Sequence, residues 1–212
     1  MTHLPNSGLY AVTDPELTRA SGLIACVEQA LEAGAALVQY RDKHSSAPQQ
    51  RERAQCLLTL CRRFNVPLVI NDDVHLAQAV GADGVHVGRD DDAVPRARAV
   101  LGADAIVGAS CYHELPRAIQ AVRDGASYVA FGRFFESHTK PGQPLASLEL
   151  LAEARQQIGV PIAAIGGITA SNGRALVDAG ANLLAVIHDL WRDPDCTPRT
   201  RALIGCFDSD RA

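Results

Sequence analysis

Gly34-Ala35-Ala36-Leu37-Val38-Gln39-Tyr40-Arg41-Asp42-Lys43 reads as three structural events in a row. Gly34 closes a helix, because glycine reaches the left-handed conformation that stops one. Leu37–Tyr40 is a short, mostly apolar run, which is how a strand buried on both faces looks. Arg41, Asp42 and Lys43 then place charge where that strand ends.

The same cadence recurs along the chain. Strands are expected at Leu9–Val12, Leu37–Tyr40, Leu68–Ile70, Gly84–Val87, Ile106–Ala109, Tyr128–Phe131, Ile162–Ile165 and Leu183–Val186. Amphipathic segments lie between them, near 22–33, 48–64, 74–80, 94–101, 115–124, 147–158 and 171–179, with a last one near 197–206. Gly34-Ala35, Gly81-Ala82, Gly125-Ala126, Gly159-Val160 and Gly180-Ala181 mark the joints from helix to strand. Eight strand–helix pairs imply an α/β fold of one kind, a closed (β/α)₈ TIM barrel. The 212 residues sit near the small end for that fold, with no linker or composition shift, so 1–212 reads as a single domain. The rival is an open doubly wound sheet. It usually carries GxGxxG after the first strand, whereas Thr13-Asp14-Pro15 stands here.

Composition narrows the class. The chain is 47% hydrophobic and 21% charged, with a net charge of -4. That balance argues against a nucleic acid or an anionic membrane as partner. No apolar run is long enough to span a bilayer, and the start lacks the layout of a signal peptide. The six cysteines form no CxxC and no metal spacing, which fits a reducing, cytoplasmic setting. Cys26, Cys56 and Cys61 read as small buried hydrophobes. Cys111 follows a strand, as a nucleophile would, but has no base beside it in sequence. Self-association, as a homo-oligomer, is left open.

In such a barrel, function gathers at the carboxyl ends of the strands. Lysine is scarce, two against eighteen arginines, and both Lys43 and Lys140 fall just past a strand. Gln39, Arg41 and Lys43 alternate, so an extended segment points them the same way. A guanidinium fork and an ammonium suit a phosphate or diphosphate, and a solvated charge cluster is the plainer alternative. Asp72 and Asp91 end adjacent strands. They read as a hard-cation site for Mg²⁺, or as helix caps, a role open also to Asp73 and Asp92. Gly166-Gly167-Ile168-Thr169 reads either as a phosphate-approach loop or as a tight turn. Ser137, Thr139 and Lys140 add hydroxyls and a cation nearby. His86 reads as a packed, orienting residue, and His44, His75 and His113 as surface groups.

Tyr10-Ala11-Val12-Thr13-Asp14, Gln39-Tyr40-Arg41-Asp42-Lys43, Ile70-Asn71-Asp72, Gly84-Val85-His86-Val87-Gly88, Gly108-Ala109-Ser110, Ser137-His138-Thr139-Lys140 and Ala164-Ile165-Gly166-Gly167-Ile168 together resemble, in order, the motifs of the thiamine-phosphate synthase family. The resemblance runs from about Leu9 to Leu190. It implies a (β/α)₈ barrel that is a Mg²⁺-dependent transferase. The reaction joins 4-amino-2-methyl-5-(diphosphooxymethyl)pyrimidine to 4-methyl-5-(2-phosphooxyethyl)thiazole with loss of diphosphate. It further implies that Gln39, Tyr40, Arg41, Asp42, Lys43, Asn71, Ser110 and Lys140 hold the pyrimidine diphosphate. Ser137, His138, Thr139 and Gly167 would hold the thiazole phosphate, and Asp72 and Asp91 the Mg²⁺. The loop with Pro141-Gly142 would close over the site.

The chain departs from the family pattern twice. Arg89 and Asp90 stand where many members have Gln and Glu, and Ile187-His188-Asp189 stands where many have Ser. A thiazole-isomerising barrel of the same superfamily and a non-catalytic binding protein are the alternatives. Arg41, Lys43, Asp72 and Asp91 argue against the first.

Overall fold

The computed structural model describes residues 3–18, 22–88, 93–136 and 145–208. Eight parallel strands close into one barrel: β1 (Gly8–Val12), β2 (Leu37–Tyr40), β3 (Leu68–Asn71), β4 (Gly84–Val87), β5 (Ile106–Tyr112), β6 (Tyr128–Gly132), β7 (Ile162–Ile165) and β8 (Leu183–Val186). The last strand pairs with the first through Leu9 with Leu184 and Tyr10 with Ala185. The expected strands are all present, and β5 runs on to Tyr112 with an irregularity in its pairing to β6.

The helices are α1 (Leu23–Glu32), α2 (Ala47–Arg63), α3 (Val74–Val80), α4 (Ala93–Leu101), α5 (Leu115–Arg123), α6 (Leu148–Gln157), α7 (Gly173–Asp178), α8 (His188–Trp191) and α9 (Thr197–Ile204). Gly34, Gly81, Gly125 and Gly180 take positive φ at their joints, as expected. Gly159 does not: α6 ends on the extended residue Ile158. The short α8 has no counterpart among the expected helices.

Strand alternation sorts the core into two layers. Leu9 and Ala11 of β1, with Val129 and Phe131 of β6, face the helices. Tyr10 and Val12, with Tyr128 and Ala130, face the barrel axis. Both faces are apolar, which is why the strands read as unbroken hydrophobic runs. The interior has room for two tyrosines because small residues stand opposite them. A Cβ on Gly108 would lie 2.1 Å from the Tyr128 ring.

Helix ends are fixed by local chemistry. Asp73 accepts from the Leu76 amide at 2.8 Å and so caps α3. Arg98 ties α4 to the floor of the barrel, donating to the Ala105 carbonyl at 2.6 Å and to Ser127 Oγ at 2.8 Å. Among the described residues no helix is long and apolar enough to cross a membrane.

Candidate active site

A cavity of about 510 Å³ opens at the carboxyl end of the barrel. Gln39 and Arg41 from the β2 end, Asn71 from β3, His86 from β4 and Ser110 from β5 line one side. Gly166, Gly167 and Thr169 after β7 line the other, with His188 of α8 and Arg192 just past its end. Arg133 and His113 also face it. The wall therefore carries three guanidiniums, Arg41, Arg133 and Arg192, against Glu136 and Asp189, in a protein of net charge -4; Arg41 pairs with Asp14 at 3.8 Å and Arg192 with Asp189 at 3.6 Å. Such a pocket attracts small anions where the bulk surface does not.

Of the residues expected to hold the pyrimidine diphosphate, Gln39, Arg41, Asn71 and Ser110 share this wall. Tyr40 and Asp42 do not. The pleat that turns Gln39 and Arg41 inward turns these two outward. The Tyr40 hydroxyl donates to Asp42 at 3.1 Å, and Arg53 of α2 donates to the same oxygen at 2.9 Å. The His44 and Ser45 amides donate to the other oxygen at 3.1 and 3.0 Å. Burial opposes ionisation of Asp42, yet bonds from Ser45, His44 and Tyr40 bring its carboxyl down to about 2. Both residues thus support the loop from outside. Lys43 is exposed and absent from the cavity wall, because the chain turns around Asp42 and the strand alternation ends there.

Asp72 follows β3 outside the cavity lining, exposed, in the left-handed conformation at φ 62, and borders a separate depression with His75 and Arg96. Its amide donates to the His86 carbonyl at 2.8 Å, and its carboxylate accepts from Asn71 at 2.7 Å. Asp73 takes the capping role, so the Asp72 carboxylate is not consumed by α3. Asp91, Arg89, Asp90, Ser137, His138, Thr139 and Lys140 lie outside the described residues. So does Pro141-Gly142.

The floor holds what sequence reading missed. The Tyr10 and Tyr128 hydroxyls meet at 2.6 Å, and Gln39 donates to Tyr10 at 2.5 Å. His86 Nδ1 bonds Tyr128 and its Nε2 bonds Ser110, both at 2.9 Å. His86 is buried and bonded through both ring nitrogens, as a packed residue is. Burial holds both phenols far above their ordinary value, so both keep their protons. A buried tyrosine needs a partner for its hydroxyl, and that was the available signal. His113 is an exposed turn residue, as expected, and also lines the cavity mouth; Arg192 went unseen because α8 did.

On the far side, Gly166 and Gly167 take φ of 106 and 66. A Cβ on Gly166 would lie 2.3 Å from that of Arg133, and one on Gly167 would lie 2.4 Å from the Glu136 carbonyl. Only glycine lets these two loops approach so closely. Asn172 braces the loop, donating to the Gly167 carbonyl at 3.0 Å and accepting from the Thr169 amide at 2.9 Å.

The cysteines play no visible part. Burial pushes the Cys111 thiol up to about 12, against attack as a thiolate. Cys26 and Cys61 are buried as expected, while Cys56 is exposed on α2.

Comparison with known proteins agrees with this geometry. The thiamine-phosphate synthase of Azoarcus sp. (strain BH72) is 54% identical over 200 residues, covering 94% of this chain and 97% of that one. The thiamine-phosphate synthase of Methylobacillus flagellatus is 51% identical over 197 residues, covering 93% of each. The solved thiamine phosphate pyrophosphorylase of Pyrococcus furiosus superposes with a TM-score of 0.85 at 30% identity, over 95% of each chain. A 3-hexulose-6-phosphate synthase at 16% identity and a TM-score of 0.68 shares the fold alone. The family model described as thiamine monophosphate synthase matches residues 9–190, from the first strand to the helix that carries Trp191's neighbour Leu190. A closed eight-strand barrel, an arginine-lined cavity at its carboxyl rim and half-identical relatives lead to one statement: this chain belongs to the thiamine monophosphate synthase family.

Proposed function

We propose that this chain joins 4-amino-2-methyl-5-(diphosphooxymethyl)pyrimidine to 4-methyl-5-(2-phosphooxyethyl)thiazole, forming thiamine phosphate and diphosphate. The observation that carries this reading is the two-sided cavity. Gln39, Arg41, Asn71 and Ser110 stand on one wall, and the Gly166-Gly167 loop stands on the other. One side suits a diphosphate bound by a guanidinium, an amide and a hydroxyl. The other suits a smaller phosphate approached by backbone.

In this reading the pyrimidine CH₂–O bond breaks first and its electron pair leaves with the diphosphate. The thiazole ring nitrogen then attacks the resulting cation, forming the new C–N bond. Arg41, Asn71 and Ser110 hold the departing charge as donors already fixed on the cavity wall. In the same reading Lys43, exposed in this structure, and Lys140 add cations to the diphosphate. Ser137, His138 and Thr139 join Gly167 at the thiazole phosphate. Fixing both anions aligns nitrogen and carbon, which converts a two-body encounter into a local step.

Asp72 fits a hard cation: it is an exposed carboxylate beside the cavity, not used as a cap. Among the described residues no three metal-binding groups cluster, and Mg²⁺ asks for fewer, since water and phosphate oxygens complete its shell. With Asp91, Asp72 would hold Mg²⁺, which when bound neutralises charge on the diphosphate. Free cysteines throughout and phosphorylated substrates fit a cytoplasmic setting.

The test is direct. The purified protein is mixed with both substrates and Mg²⁺, and thiamine phosphate is followed by chromatography. Formation of product supports the synthase. Rearranged thiazole without coupling would identify an isomerase instead, and retention of both substrates unchanged would identify a binding protein.

A further inference from the structure

Five side chains form one hydrogen-bonded row across the cavity floor: Gln39, Tyr10, Tyr128, His86 and Ser110. The row begins on β2, passes through β1, β6 and β4, and ends on β5. Its two ends line the cavity, while Tyr128 at the centre is fully buried.

Each hydroxyl in the row has one proton to give, and a neutral imidazole gives from one nitrogen and accepts at the other. The direction of one bond therefore sets the direction of the rest. If Ser110 gives its proton to an anion in the cavity, it accepts from His86 Nε2–H. His86 Nδ1 then accepts from Tyr128, Tyr128 from Tyr10, and Tyr10 from the Gln39 amide nitrogen. Gln39 is left with Oε1 as its acceptor in the cavity wall. Reversed, the row turns the Ser110 proton away from the cavity and requires the Gln39 amide to flip.

We infer that this row is a polarity relay: an anion held at Ser110 locks the orientation in which Gln39 donates to Tyr10 and keeps Oε1 as an acceptor, selecting the exocyclic amine of a 4-aminopyrimidine over a 4-oxo ring. Tyr10, Tyr128 and His86 are positioning residues in it. The inference rests on the placement of the diphosphate at Ser110 proposed above. It extends that placement, because one substrate is then read at both its charged end and its ring through a single row.

Two measurements test it. The first is the ratio of kcat/KM for the 4-amino over the 4-oxo pyrimidine diphosphate. Wild type should favour the amine by about tenfold or more, as expected for one mismatched buried bond. In Tyr128→Phe the ratio should fall towards one, with KM for the thiazole phosphate unchanged. An unchanged ratio in folded Tyr128→Phe overturns the relay. The second uses wild type with ¹⁵N-labelled histidine and inorganic diphosphate, and needs no variant. His86 should be the Nε2–H tautomer in the complex. A doubly protonated ring, an Nδ1–H tautomer or failure of diphosphate to bind overturns the relay. If wild type makes no thiamine phosphate, the synthase reading fails separately, and the tautomer still decides the relay.

Discussion

The hydroxyls of Tyr10 on β1 and Tyr128 on β6, 118 residues apart in sequence, meet at 2.6 Å on the barrel axis. Their rings lie edge to face, with centroids 5.8 Å apart. Two polar atoms at the centre of an apolar core are tolerated because each finds a partner, and the partners lead outward to Gln39 and Ser110. The floor of the site is thus part of the core, and packing changes there reach the chemistry.

Gly108→Ala is expected to show this. The added methyl would fall 2.1 Å from Cζ of Tyr128, against a ring with no room to retreat. Stability should drop by about 1–3 kcal/mol in urea unfolding. Turnover should fall further than that loss alone explains, because Tyr128 loses its place beside His86. Wild-type turnover in this variant would contradict the account.

Asp72→Asn removes charge without changing size. Turnover should fall about a hundredfold or more if this carboxylate helps to neutralise the leaving group. Circular dichroism should be unchanged, since Asp72 is exposed and caps no helix. The Mg²⁺ concentration for half-maximal rate should rise. An unaltered Mg²⁺ response would remove the assignment.

Gly166→Ala targets the opposite wall. Its φ of 106 strains any other residue, and the methyl would displace Arg133. KM for the thiazole phosphate should rise at least several-fold, with KM for the pyrimidine diphosphate moving less. Equal effects on the two substrates would show that the loop does not serve one site.

Asp42 gives a pH signature. Its carboxyl lies at about 2 in the folded protein, below the ordinary carboxylate value. A depressed folded value means that the stabilisation is complete above the unfolded value near 4 and is lost as pH falls through about 2. Asp42→Ala should cost about 1–3 kcal/mol at neutral pH. The gap between variant and wild type, from urea unfolding, should narrow between pH 4 and 2. A gap that stays constant there would mean the carboxylate is not what Arg53 and the loop amides hold.

The barrel was legible because its strands are buried on both faces, so each appears as an apolar run ended by glycine or charge. Contacts set by side-chain direction were less so. Gln39 and Arg41 follow the alternation of β2 into the cavity, but Asp42 bends the chain, and Lys43 leaves the pattern. Tyr10 and Tyr128 look like ordinary core residues until their hydroxyls are traced across the barrel. α8 is four residues long, too short to show a helical period, and it hid both Arg192 and the indole of Trp191. α7 begins at Gly173, later than its amphipathic pattern, because Asn172 spends its amide on the Gly167 loop.

Trp191 donates its indole N–H to the carbonyl of Val12 at 2.7 Å, beside the seam where β8 joins β1. During synthesis, Val12 must wait for the 179 residues that separate it from Trp191 to emerge before that stitch can form. A nascent piece that lacks β8 has no partner for the open edge of β1, so the ring of strands closes only once the eighth has emerged.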